Sequence, residues 1–219
     1  MAKANKLRLS SDKRDHYVNN VRTPVGIAAF VKIREPELFR KKMRYSMTVL
    51  FDADTDMSKI KEALIECAEK ATGVSGLKLS DFTHPVKKGD DKPEYEGFAG
   101  RLYIHTTAGE EMQPKTYGRG KPLPVSDPKE IYSGCNVRLI LSAKAYEDDD
   151  HPRGIGVTFF MEAIQFVGHG ERMGGGATDV SGFEDEEGLE EYDDGDDFGA
   201  EPELPEEGGD SGDDDDDFM

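Results

Sequence analysis

Apolar and polar positions alternate with a period of two through most of this chain, the pattern of strands with one face in a core. The first such run, Val21 to Arg34, carries Val25, Ile27, Ala29, Val31 and Ile33 on one side. Met43 to Phe51 sets Tyr45, Met47, Val49 and Phe51 against Arg44, Ser46 and Thr48. Phe98 to Thr107 separates Phe98, Leu102 and Ile104 from Arg101, Tyr103 and His105. Asn136 to Tyr146 places Val137, Leu139, Leu141, Ala143 and Ala145 opposite Arg138, Ser142, Lys144 and Tyr146. Ile155 to Val167 is apolar on both faces, which predicts a central strand. The period changes to helical in one place, Met57 to Thr72, where Ile60, Ala63, Leu64, Cys67, Ala68 and Ala71 form a stripe. Thr55 or Asp56 is its expected N-cap and Gly73 its stop. About five major strands and one helix predict a mainly β fold, a small and partly open barrel.

The connections divide the chain further. Residues 1–20 are polar and basic (Lys3, Lys6, Arg8, Lys13, Arg14) and are expected to form a loose arm before a domain over 21–170. Residues 74–97 read as a polar connection. Residues 108–129 hold four prolines together with Lys115, Tyr117, Arg119 and Lys121, and a loop of that length inside a small domain is usually functional or mobile. Gly168 to Gly176 reads as a glycine-rich hinge, so residues 171–219 are expected to be hinge and disordered tail.

Charge sharpens that division. Residues 177–219 contain 21 acidic side chains and no Lys or Arg, leaving 25 acidic residues against all 28 basic ones in residues 1–176. The net charge of −18 thus describes neither part: the body is mildly basic and the tail strongly acidic. The tail has too few apolar side chains to offset chain entropy, so it is not expected to fold alone. It nevertheless carries Phe183, Tyr192, Phe198 and Phe218, rings for which a pure solubiliser has no use. Carboxylate plus ring mimics phosphate plus base, so the tail is a candidate competitor for a basic groove. Its end, Asp213, Asp214, Asp215, Asp216, Asp217 and Phe218, is a candidate docking segment for a basic partner.

Catalysis finds little footing. The five histidines are scattered singly, and no HExxH, G-x-S-x-G or phosphate-loop pattern occurs. Asp52-Ala53-Asp54-Thr55-Asp56 imitates the opening of a calcium loop, but Met57 stands where that loop needs Gly and Ala63 where it needs a bidentate Glu. Negative charge at a helix N-terminus is the better account. Cys67 and Cys135 fit no metal spacing and read as buried thiols in a reducing compartment. No signal-peptide core or apolar run long enough for a membrane span is present. The expectation is a non-enzyme without metal or cofactor, away from membranes.

The informative pattern is cation and ring together on the non-core side of strands: Arg101, Tyr103 and His105 on one, Arg138, Lys144 and Tyr146 on another. Lys41, Lys42 and Arg44 flank a third strand, and Tyr117, Arg119 and Lys121 sit on the long loop. Unpaired nucleic acid asks for this mixture, cations for phosphates and rings for bases at about 1–3 kcal/mol per stacked base. A solvated face that happens to carry Tyr and Arg is the bland account of any one strand; four such patches in one domain weaken it. An acidic-tailed interaction protein, either a DNA mimic or a chaperone-like factor for a basic partner, is the alternative.

On these residues the chain resembles the single-stranded DNA-binding proteins of tailed bacteriophages. The matching order is the strand at Val21, the strand at Met43, the helix, the strand at Phe98 and the Pro-rich loop. Then come Lys129-Glu130-Ile131-Tyr132-Ser133-Gly134-Cys135-Asn136-Val137-Arg138 and Gly154-Ile155-Gly156-Val157 with its long apolar strand. The resemblance implies an OB-fold and sequence-tolerant binding of single-stranded DNA during phage replication and recombination, in the cytoplasm of the bacterial host. It also implies that the acidic tail contacts replication proteins such as polymerase, helicase or primase. The assembly state stays open, a homodimer included.

Overall fold

The strand pattern closes into a ring. In the computed structural model, which describes residues 6–39, 41–118 and 131–173, the strands are β1 (Tyr17–Arg22), β2 (Gly26–Phe39), β3 (Lys42–Asp52), β4 (Val86–Lys88), β5 (Arg101–Gly109), β6 (Lys115–Tyr117), β7 (Asn136–Glu147) and β8 (Ile155–Gly168). Among the described residues one α-helix, α1 (Ser58–Thr72), lies between β3 and β4. Antiparallel ladders join β2 to β3, β3 to β5 and β7 to β8. Two thin seams complete the circuit: Gly26 with Val137 and Ile27 with Asn136 between β2 and β7, and the single parallel pair Thr107–Phe160 between β5 and β8. The circuit β7–β2–β3–β5–β8 is the OB arrangement, partly open because two of its five joints are so short.

Inward residues of the long strands, among them Met47, Val49, Phe51, Ile104, Leu139, Leu141 and Phe159, are fully buried. The helix stripe Ile60, Ala63, Leu64, Cys67, Ala68 and Ala71 is buried as its spacing requires. Gly73 ends the helix at φ +69, its N–H bonded to the Glu69 carbonyl at 2.8 Å. At the other end Met57 takes the cap position, and the Asp56 carboxylate accepts from Ser58 N at 2.9 Å. Both cysteines are buried and free, and burial pushes the Cys67 thiol up to about 11.

Besides the helix cap, three expectations need correction. The run at Val21 is two strands: Thr23-Pro24-Val25 interrupts it, and Thr23 makes two bonds to Leu139, N–H to O at 3.0 Å and Oγ1 from N–H at 2.9 Å. Residues 6–20 are not a loose arm. Leu7 N donates to Arg153 O and Ser10 N to Ala71 O, Leu7 and Leu9 pack against the core, and β1 pairs with β7. Their apolar side chains, obscured by the basic ones between them, supply the anchoring. The hinge, too, begins as a strap: Met173 N donates to Ser133 O at 2.9 Å, and the Arg172 guanidinium lies 4.2 Å over the Tyr132 ring. Gly134, at φ +110, runs so close beneath the Glu171 carbonyl that a Cβ there has no room. The readings for 119–130 and for the tail from 174 onward lie outside the described residues.

Candidate nucleic-acid interface

Ladder pairing puts the candidate residues of β3 and β5 on one outer file, with Arg44 beside Gly109, Ser46 beside Thr107, Thr48 beside His105, Leu50 beside Tyr103 and Asp52 beside Arg101. The file is not uniformly available. Arg101 donates to Asp52 Oδ1 at 2.9 Å and to the Gly97 carbonyl at 2.8 Å, so its charge is largely answered within the fold. Tyr103 packs on Phe98 with centroids 5.4 Å apart, over a small outer cluster of Ala29, Leu50 and Phe98. His105 shares a hydrogen bond with Thr48 Oγ1 at 3.1 Å, and its ring lies 5.7 Å from Phe39.

Lys41 and Lys42 stand where β2 turns into β3 and line a cleft of about 740 Å³ with Leu38, Met43 and Met112. Glu110 and Glu111 form part of its wall and offset some of that positive charge. Arg44 borders this cleft and also a second cavity, of about 420 Å³, over the β5–β8 seam.

The second cavity is where separate parts of the chain converge. Lys144 of β7 reaches it with Nζ 5.0 Å from the Tyr17 ring and 5.9 Å from the Phe160 ring. Two cations and two rings from four strands thus border one space. Tyr146, two residues further along β7, has its ring against Gly156, its cross-strand partner, where any side chain would collide with it. Arg138 is placed in a row with Gln165 of β8 and Tyr117 of β6, about 10 Å from Tyr117 by strand spacing. Arg119 and Lys121 lie outside the described residues.

Sequence reasoning missed half of this cavity. Tyr17 and Asn19 fall within the stretch expected to be an arm, although they alternate with the apolar Val18. Phe160 and Glu162 were hidden in a strand apolar on both faces, where Thr158, Phe160 and Glu162 form the less buried file. A further ring pair was also missed. Phe30, 46% exposed and held at φ +50, meets Tyr95 edge-on at 5.0 Å, with Lys92 Nζ 5.0 Å from the Tyr95 centroid. A non-glycine residue held at positive φ with an exposed ring is the kind of strained position that collects at functional sites.

Outward rings and cations on an OB barrel make a surface of the single-strand-binding class. Comparison with known proteins names the family. The model for the family described as "Enterobacter phage Enc34, ssDNA-binding protein" matches residues 18–198, and the chain belongs to that family. Among solved structures, the chain is similar to the single-stranded DNA-binding protein from bacteriophage Enc34 (18% identity, TM-score 0.52, 81% of this chain and 98% of that one). It is similar also to that protein in complex with ssDNA (18%, 0.53, 77% and 99%) and to its C-terminal truncation (19%, 0.54, 77% and 98%). These likenesses establish the shared fold. No curated protein sequence matches the chain significantly.

Proposed function

We propose that this protein binds single-stranded DNA with little sequence preference in phage replication and recombination. The observation that carries the reading is the convergence of Arg44 and Lys144 with Tyr17 and Phe160 in one cavity on the outside of the barrel. Phosphates pass the two cations and bases meet the rings, while the outer file Tyr103–His105 and the row Arg138–Tyr117 extend the path to either side. Among the described residues no helix is long and apolar enough to cross a membrane.

The acidic tail is the regulator in this reading. It competes with DNA for the cations and docks replication proteins through Asp213–Phe218. The last described residue, Met173, packs on the outer cluster with Tyr103. Fluorescence anisotropy with a labelled oligonucleotide, on the full chain and on a chain ending at Gly176, tests both parts. Salt-sensitive binding by both, tighter without the tail at low salt, is expected. No binding by either form refutes DNA binding and favours an interaction protein for a basic partner. Binding that is unchanged or weaker after truncation refutes the competition.

A further inference from the structure

The cavity at the β5–β8 seam holds more than rings and cations. At its polar side Ser142, buried on β7, lies between Asn19 of β1 and Glu162 of β8. Its hydroxyl donates to the Glu162 carboxylate and lies 3.1 Å from Asn19 Oδ1. A hydroxyl has one proton, and with that proton on Glu162 the Asn19 amide meets Ser142 best through its N–H.

Both neighbouring strands are irregular at this point. The β1 register jumps from Val18–Ala143 to Val21–Leu141, leaving Asn19 and Asn20 opposite Ser142, with Asn20 at φ +60. The β8 register jumps from Ile140–Ala163 to Leu141–Met161, leaving Glu162 without a ladder partner. Bulges re-aim side chains, and here two of them flank one serine and bring an amide and a carboxylate to the same cavity.

A carboxylate is misplaced in a site that only follows phosphates, because it repels them. It is well placed to accept from an exocyclic amine at a base edge, as Glu does from cytosine N4. A cavity of about 420 Å³ with ring walls has room for one base.

We infer that this cavity takes one nucleobase of the bound strand edge-in, with Glu162, Ser142 and Asn19 reading an amino-bearing edge, so that cytosine is bound in preference to thymine. Thymine carries the carbonyl oxygen O4 where cytosine carries its N4 amine, and that oxygen faces an acceptor in the pocket. The inference rests on the proposed DNA binding and adds a base preference to it.

The test uses the full chain and two labelled 20-mers, oligo-dC and oligo-dT, at pH 8 and fixed salt. Oligo-dC is expected to bind roughly 5- to 10-fold more tightly, at the low end of the discrimination that a good base-edge contact supplies. Glu162→Gln, which gives the pocket an N–H for thymine O4, narrows that ratio by weakening dC and strengthening dT. Asn19→Ala narrows it through dC alone. Equal affinities of the parent protein for the two oligomers overturn the inference, as does a ratio unmoved in both variants. Binding of neither oligomer overturns DNA binding itself and the base preference with it.

Discussion

Replacing Arg44 and Lys144 together by Gln is the perturbation that bears most directly on the cavity. A cation contacting one phosphate of a single strand contributes about 0.7 to the log–log slope of affinity against salt, so losing two flattens it by about 1.4. At 0.1 M salt the same term amounts to about a 25-fold loss of affinity. The fold is expected to survive. Arg44 makes a long bond to Thr107 Oγ1 at 3.5 Å, and Lys144 gives up ring contacts worth about 0.5–1 kcal/mol at a partly exposed site. Arg101→Gln is the internal control, because the Arg101 charge is already engaged by Asp52 and should flatten the slope far less. Anisotropy titrations between 50 and 300 mM NaCl give the slopes, and a thermal melt confirms folding. An unchanged slope in a folded double variant, or an Arg101→Gln effect half as large as that of the double variant or larger, would refute this placement of the backbone path.

Two predictions concern the scaffold. Burial, with Lys87 nearby, holds the His84 imidazole below its ordinary pKa, so the unfolded chain takes up the proton more readily. Stability is therefore fully present above about pH 6.5 and declines as pH falls below that value; His84→Gln should reduce the drop in Tm between pH 7.5 and 5.5, and an equal drop in both proteins counts against the linkage. Gly134→Ala should lift the 169–173 strap off the barrel, because its Cβ meets the Glu171 carbonyl. Faster amide exchange at Met173, whose N–H is bonded to Ser133 O, is the expected signature, and unaltered exchange would show that the strap does not depend on that close approach.

Much of the fold was legible because period-two burial is a local property. β3, α1, β5, β7 and β8 all lie within a few residues of their expected bounds. Short edge strands were not legible: β4 and β6 have three residues each, too few for a period to show. The candidate face was legible as residue types but not as availability. Arg101 and Arg44 look alike along the chain, yet one faces Asp52 across the ladder and the other opens onto a cavity.

The sequence by itself determined a mainly β body with one helix, a mildly basic domain carrying a strongly acidic tail, and strands whose outer faces mix rings with cations. These follow from neighbours along the chain, where alternation and charge are counted directly. Only the tertiary structure decided that β5 and β8 meet at a single parallel pair, and that Tyr17, Arg44, Lys144 and Phe160 border one cavity there. It also decided that two bulges place Asn19 and Glu162 on either side of Ser142. Ring closure joins strands from about fifty to more than a hundred residues apart, and a bulge is a mismatch between two strands that neither carries alone. The surface could therefore be anticipated by composition, while the pocket within it is a product of closure.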